Sequence, residues 1–170
     1  MTVVTTARLV LRPFAPEDAP AYAAIWAKPE VVRFLPGGEG LAARAQELAE
    51  TRAALFAAQW RVFGYGPWAA VEQASGALLG HLGLRRLPEL GETELLYMLD
   101  RPAWGKGYAT EGARAAVAWA FAQTDLPRLV AFAAPENRGS IRVMEKAGFA
   151  YDGAVRVFGL DAARYTLTRP

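Results

Sequence analysis

The sequence predicts one mixed α/β domain spanning residues 1–170, and three features carry that expectation. Apolar runs of strand length alternate with stretches of helical periodicity, in the order β-α-α-β-β-β-α-β-α-β-β, with no repeat and no linker. The run Leu95-Leu96-Tyr97-Met98-Leu99 is consecutively apolar, the pattern of a strand buried on both faces. A turn carrying Pro102, Gly105 and Gly107 follows it and opens directly into an Ala-rich amphipathic helix.

Arg8-Leu9-Val10-Leu11-Arg12-Pro13 reads as a short first strand ended by proline. Pro16-Glu17-Asp18 starts a helix with acids in its first turn and Tyr22, Ile25 and Trp26 on one face, and Pro29 interrupts it. Pro36-Gly37-Gly38-Glu39-Gly40 has loop composition. From 41 to about 63 the pattern is helical, with Leu41, Ala45, Leu48, Leu55 and Phe56 near one stripe and Glu47, Glu50 and Arg52 elsewhere. Gly64-Tyr65-Gly66-Pro67 ends that helix. Residues 68–72 and 77–84 then form a hairpin across Ala74-Ser75-Gly76. Glu94 begins the next strand, which runs to Leu99. After the glycine turn, Ala113, Ala116, Val117, Ala120 and Phe121 keep the spacing of one helical face. Residues 127–132 form a further strand. Asn137-Arg138-Gly139-Ser140 offers N-cap chemistry for a short helix, which Ala147-Gly148-Phe149 closes in the manner of a Schellman motif. Residues 151–158 and 164–168 make a last hairpin around Gly159-Leu160-Asp161.

Composition removes several classes of function. With 53% hydrophobic and 21% charged residues the chain has the balance of a folded domain, not of a disordered one. The absence of cysteine excludes disulfides, thiolate zinc sites and a Cys nucleophile, and a single histidine excludes multi-histidine metal sites, so no metal is expected. The net charge of +2 is spread over scattered arginines, which argues against direct nucleic-acid binding. No apolar run approaches the roughly 18 residues of a membrane span. The first residues lack a signal-peptide core, so a cytoplasmic location is expected.

A strand feeding a glycine turn that opens a helix is an anion site, because the first helical N–H groups lack internal partners and the helix dipole is positive there. Two common phosphate loops do not fit. A Walker A loop needs Ser or Thr after Gly-Lys, and Lys106 is followed by Gly107; a dinucleotide fingerprint needs a third glycine at 110, which is Thr.

A third family fits at several separated points. Trp104-Gly105-Lys106-Gly107-Tyr108-Ala109-Thr110-Glu111 resembles the pyrophosphate loop of the GNAT superfamily of acetyl-CoA-dependent N-acetyltransferases. More narrowly, it resembles the branch that holds the ribosomal-protein N-terminal acetyltransferases. Asn137-Arg138-Gly139-Ser140 through Lys146-Ala147-Gly148-Phe149 is similar to the branch's second motif. Residues 8–12 and Pro29-Glu30-Val31-Val32-Arg33-Phe34-Leu35 are similar to its amino-terminal region, so the resemblance covers essentially the whole chain. One departure is Pro102, where the superfamily often has Gln or Arg.

The resemblance implies a twisted, mostly antiparallel sheet with splayed central strands, flanked by helices. It implies acetyl-CoA as co-substrate and direct attack by a primary amine, a protein N-terminal α-amine or, alternatively, a small molecule such as a polyamine, amino acid or antibiotic. A non-catalytic acyl-CoA sensor of the same fold is the alternative of another class. By the same resemblance Met98, Leu99, the turn from Trp104 to Thr110, Asn137 and Ser140 contact the coenzyme. Glu94 is the general base and Ser140 the acid, since Met144 stands where many members have Tyr. Phe34, Glu39, Phe158 and Asp161 are expected to line the acceptor pocket, and the protein to be a monomer or homodimer. His81 is more simply structural than mechanistic, although its usual pKa invites a role.

Overall fold

The computed structural model describes residues 2–170. Eight strands form one sheet: β1 (Val4–Thr5), β2 (Leu9–Arg12), β3 (Pro67–Glu72), β4 (Leu78–Leu87), β5 (Glu92–Leu99), β6 (Arg128–Ala133), β7 (Ala150–Val157) and β8 (Leu160–Thr168). Their order is β1-β2-β3-β4-β5-β6-β8-β7. Every neighbouring pair is antiparallel except β5–β6. The helices are α1 (Ala19–Trp26), α2 (Pro29–Val32), α3 (Ala45–Phe63), α4 (Tyr108–Gln123) and α5 (Arg138–Lys146).

The parallel pair decides where a ligand can enter. β4 and β5 stay in register over eight residue pairs, whereas β5 and β6 share only Glu94↔Val130. Beyond that point the two central strands diverge, and the β6-facing edge of β5 from Leu95 onward is left without a strand partner. The mostly antiparallel sheet with splayed centre is therefore as expected.

The side-chain alternation of β5 then sorts its residues between two cores. Leu95 and Leu99 pack on one side with Ala113, Ala116 and Ala120 of α4 and Ile141 and Met144 of α5. Met98 and Leu96 pack on the other with Tyr22 and Trp26 of α1, Val31 and Val32 of α2, and Phe56 of α3. Burial of these apolar side chains, worth about 1.5–3 kcal/mol for each large one, fixes which face each polar residue of the strand must occupy. Glu94 shares the α1–α3 face with Leu96 and Met98; Tyr97 shares the α4–α5 face with Leu95 and Leu99.

Several boundaries differ from the sequence reading. β1 was not foreseen; at two residues it has no pattern of its own and exists because Val4 and Thr5 pair with Leu11 and Val10. The helix expected from 41 starts at Ala45, preceded by 3₁₀ turns over Gly38–Arg44, where Gly38 and Gly40, with Pro36 and Gly37 just before them, favour tight turns over a continuous helix. β4 runs three residues past the expected end, because Arg85 is held opposite Glu94. In the last hairpin the turn is Phe158-Gly159, with Phe158 at φ 54, and the return strand already begins at Leu160. The caps are as expected: the Asn137 side chain accepts from the Ser140 N–H at 3.1 Å. At the other end of α5 the Phe149 and Gly148 N–H groups close a Schellman motif on Met144 and Glu145 at 3.0 Å each.

Glycine is required at Gly80, where φ is +142 and an added Cβ would lie 2.0 Å from the Met98 carbonyl oxygen. That close approach brings β4 against β5 beside His81.

Candidate active site

A cleft of about 1030 Å³ runs through the gap between β5 and β6. At one end it reaches the α4 N-terminus and α5, at the other α1, α2, α3 and the β7–β8 turn.

The first end suits an extended polyanion. Gly105 and Gly107 take φ of 72 and 86, conformations that cost other L-residues about 1–2 kcal/mol. The first N–H groups of α4, on Tyr108, Ala109 and Thr110, have no backbone acceptor among the described residues. The Glu111 N–H, one turn further, already bonds the Gly107 carbonyl at 3.0 Å. Arg138, Arg142 and Lys146 line the same end and add positive charge. Trp104 fixes the turn by donating from Nε1 to the Leu99 carbonyl at 2.7 Å, and the Arg101 guanidinium lies 5.0 Å from its ring centroid. Met98 and Leu99 meet the cleft along the open edge of β5.

Two expected coenzyme contacts turn the other way. Lys106 is exposed and does not line the cleft; its carbonyl accepts from Arg8 at 2.9 Å. The Tyr108 ring lies under the Arg8 guanidinium, 4.4 Å away, and its hydroxyl donates to Glu72, so only its backbone faces the anion site. Glu111 does more than answer the helix dipole. It accepts from Thr6 Oγ1, the Arg8 N–H and Arg8 Nε at 2.6, 2.8 and 2.7 Å, and so ties the start of β2 to α4.

Glu94 stands at the middle of the cleft, where β5 and β6 part. It is 5% exposed, so the ordinary expectation of a solvated strand-end acid does not hold. Arg85, directly opposite on β4, donates from Nη2 and Nε to Glu94 Oε2 at 2.5 and 2.8 Å. No protein donor reaches Oε1 among the described residues. Burial pushes the Glu94 carboxyl above the usual carboxylate range, and Arg85 opposes that shift.

On the α4–α5 side, the Tyr97 hydroxyl donates to the Ser140 carbonyl and lies 2.9 Å from Ser140 Oγ. Burial holds Tyr97 protonated well above its usual range. Ser140 does not cap its helix through its side chain; Asn137 does that, which leaves the Ser140 hydroxyl in the cleft with Tyr97 behind it. Met144 is fully buried and offers nothing to the site.

The second end is lined by aromatic and apolar groups: Trp26, Phe34, Phe56 and Phe158 among them. The Phe158 ring packs on Phe132, centroids 6.1 Å apart, and under the Arg85 guanidinium at 5.1 Å. Asp161 reaches the cleft but is exposed and paired with Arg156 at 3.0 Å. Glu39 is a correction: it faces solvent on the 3₁₀ turns and does not line the cleft, where Glu30 of α2 does. Arg52 is a second correction. It lies on the stripe with Leu48 and Phe56, at i, i+4 and i+8 of α3, and all three face the cleft. His81 is buried with Nδ1 2.7 Å from the Tyr22 hydroxyl. Burial, helped by the charges of Arg52 and Arg85, holds its pKa down to about 3, so it is neutral near pH 7.

Sequence reasoning missed Tyr97, Arg85 and Arg52. Tyr97 had a signal, as the one residue with a polar tip inside a strand read as buried on both faces. Arg52 had one in its spacing from Leu48 and Phe56. Arg85 had none, because its register against Glu94 follows from pairing.

A sheet split between two parallel strands, with a glycine-started helix N-terminus at the mouth of the split, defines a fold that takes an extended phosphate-bearing ligand between its central strands. Residues 8–150 match the acetyltransferase (GNAT) domain family, and the chain belongs to that family. The uncharacterized protein YkkB of Bacillus subtilis is 33% identical over 105 residues, a match that spans 61% of this chain and 61% of YkkB. The crystal structure of an acetyltransferase from Agrobacterium tumefaciens superposes with a TM-score of 0.83 at 32% identity, over 98% of this chain and 94% of that one. The ribosomal L7/L12 alpha-N-protein acetyltransferase RimL, solved in complex with coenzyme A, superposes with a TM-score of 0.77 over 98% of both chains. At 18% identity that likeness shows the shared fold alone.

Proposed function

We propose that this protein transfers an acetyl group from acetyl-CoA to a primary amine, with Glu94 as the general base. The observation that carries the reading is the position of Glu94: a buried carboxylate with one oxygen free of protein donors, at the point where the sheet opens. The free N–H groups of α4, the open edge of β5 and the cations of α5 fit a pyrophosphate with an extended arm, as CoA has.

When bound, acetyl-CoA supplies an activated acyl carbon and a thiolate leaving group. Glu94 takes one proton from the incoming ammonium and frees its lone pair to form the C–N bond. The raised carboxyl pKa suits that task, since a base closer in pKa to the working pH accepts the proton more readily. As the C–S bond breaks, the Ser140 hydroxyl, backed by Tyr97, stands in the cleft to give the sulfur a proton, and the second proton shed by the attacking nitrogen as the amide forms restores that hydroxyl. The walls around Glu94 hold amine and thioester together and exclude water, which lowers the entropic part of the barrier.

For the acceptor, the resemblance to the ribosomal-protein branch favours a protein N-terminal α-amine. A small-molecule amine is the second reading, favoured by the aromatic lining of Trp26, Phe34, Phe56 and Phe158. Acetyl-CoA turnover against N-terminal peptides, amino acids and polyamines tests both. Turnover of at least one amine is expected; stabilisation by CoA with no turnover of any amine would point instead to a sensor.

A further inference from the structure

Arg52 is the cation of the cleft that the reaction so far leaves unused. Its side chain is half-buried, extends from α3 into the acceptor end, and lies 6.0 Å from the Trp26 ring centroid. Among the described residues it has no ion-pair and no hydrogen-bond partner. Four carboxylates line the cleft: Glu94 is held by Arg85, Asp161 by Arg156, and neither Glu30 nor Glu136 pairs with Arg52. Arg85 faces the same end, and its two bonds to Glu94 come from Nε and Nη2, so Nη1 is uncommitted. Two guanidiniums thus converge on a wall whose other members are mostly apolar or, like His81, neutral.

A guanidinium presents five N–H donors, and in a half-buried apolar setting they are poorly hydrated unless an anion meets them. Partial burial and, after it, repulsion from Arg85 lower the Arg52 pKa, and an anion between the two guanidiniums would relieve the repulsion. On the same face of the sheet, Glu94 offers its free oxygen to the ammonium. The arrangement is that of a receptor for a molecule with a cationic and an anionic end.

We infer that the acceptor amine also carries a carboxylate, that Arg52 with Arg85 recognises it, and that an apolar body of the acceptor fills the space between Trp26, Phe34 and Phe56. The carboxylate belongs to a free amino acid or to an acidic residue at a peptide N-terminus. The inference rests on the amine-acetylation reading and narrows it.

The test compares matched acceptors: apolar amino acids against their amides, and peptides beginning with Asp or Glu against those beginning with Asn or Gln. Each pair is assayed with wild type, Arg52→Gln and Arg52→Lys. For one of the two sources, wild type should favour the acid by about tenfold or more in kcat/KM, the size of one charge-assisted hydrogen bond. Arg52→Gln should bring that ratio close to one, mainly through KM, and Arg52→Lys should restore part of it. Retained thermal stabilisation by CoA establishes that the variants are folded. Equal kcat/KM for acid and amide in both series, or an unaltered ratio in Arg52→Gln, would overturn the inference while leaving amine acetylation standing. If no amine is acetylated, that reading fails separately. The inference is then decided by thermal shift of the CoA-saturated protein, where the acids must stabilise wild type more than the amides do, and Arg52→Gln must lose the difference.

Discussion

Glu94 and Arg85 face each other across adjacent strands, with both bonding nitrogens of the guanidinium on a single carboxylate oxygen at 2.5 and 2.8 Å. The pairing orients the carboxylate and leaves the other oxygen without a protein donor among the described residues. It also places a positive charge beside a carboxyl whose pKa burial has raised, and that charge opposes the shift.

Glu94→Gln should therefore lower kcat by about 10²-fold or more, in keeping with general-base contributions. In wild type kcat/KM should climb with pH through the Glu94 pKa, above the usual carboxylate range, as the base loses its proton. The variant should lack that ascending limb. An identical pH–rate profile in Glu94→Gln would remove Glu94 from the mechanism.

Tyr97→Phe keeps the packing of the α4–α5 face but deletes the hydroxyl that holds Ser140. If the pair supplies the proton to sulfur, Tyr97→Phe and Ser140→Ala should each slow turnover, and the double variant should be no slower than the worse single one. Multiplicative losses in such a cycle would show that the two residues act independently.

Gly107 precedes α4 in a left-handed conformation at φ 86. Gly107→Ala should strain the turn by about 1–2 kcal/mol and misdirect the first free N–H groups. The expected outcome is a KM for acetyl-CoA raised by about tenfold, with the amine KM little altered. Calorimetric titration with CoA reads the same change, and equal CoA affinity in both proteins would mean the turn does not hold the pyrophosphate.

His81 makes a pH prediction of definite sign. Between its ordinary value of 6.5 and its folded value of about 3 the unfolded chain binds a proton that the folded chain refuses. Stability must then fall on acidification across that window, by up to about 1.4 kcal/mol per pH unit. Glu94 works in the opposite sense: with a raised folded pKa its contribution is present below the usual carboxylate range and fades as pH rises through the folded value. Denaturant unfolding between pH 7 and 5 should therefore show a loss in wild type, a flattened or reversed slope in His81→Asn, and a steeper one in Glu94→Gln. A His81→Asn protein with the wild-type slope would assign the effect to other groups.

The order of the elements after β1, the glycine turn, both motifs and the strand carrying Glu94 are legible in the chain. These are written in local chemistry: periodicity, N-cap residues, and glycine where a positive φ is needed. The glycine turn also marks an anion-binding end of the cleft, because a helix N-terminus offers unpaired N–H groups. The make-up of the other end is set by packing between distant segments. That Glu94 is buried and shares one oxygen with Arg85 depends on the register of β4 against β5, and that Arg52 faces the cleft unpaired depends on how α3 is rotated over the sheet. The same holds for Glu39, which the resemblance put at the pocket and the 3₁₀ turns put in solvent. Pairing register and helix rotation are set by the sum of many apolar contacts between distant segments. No single stretch of sequence records where its polar side chains will meet.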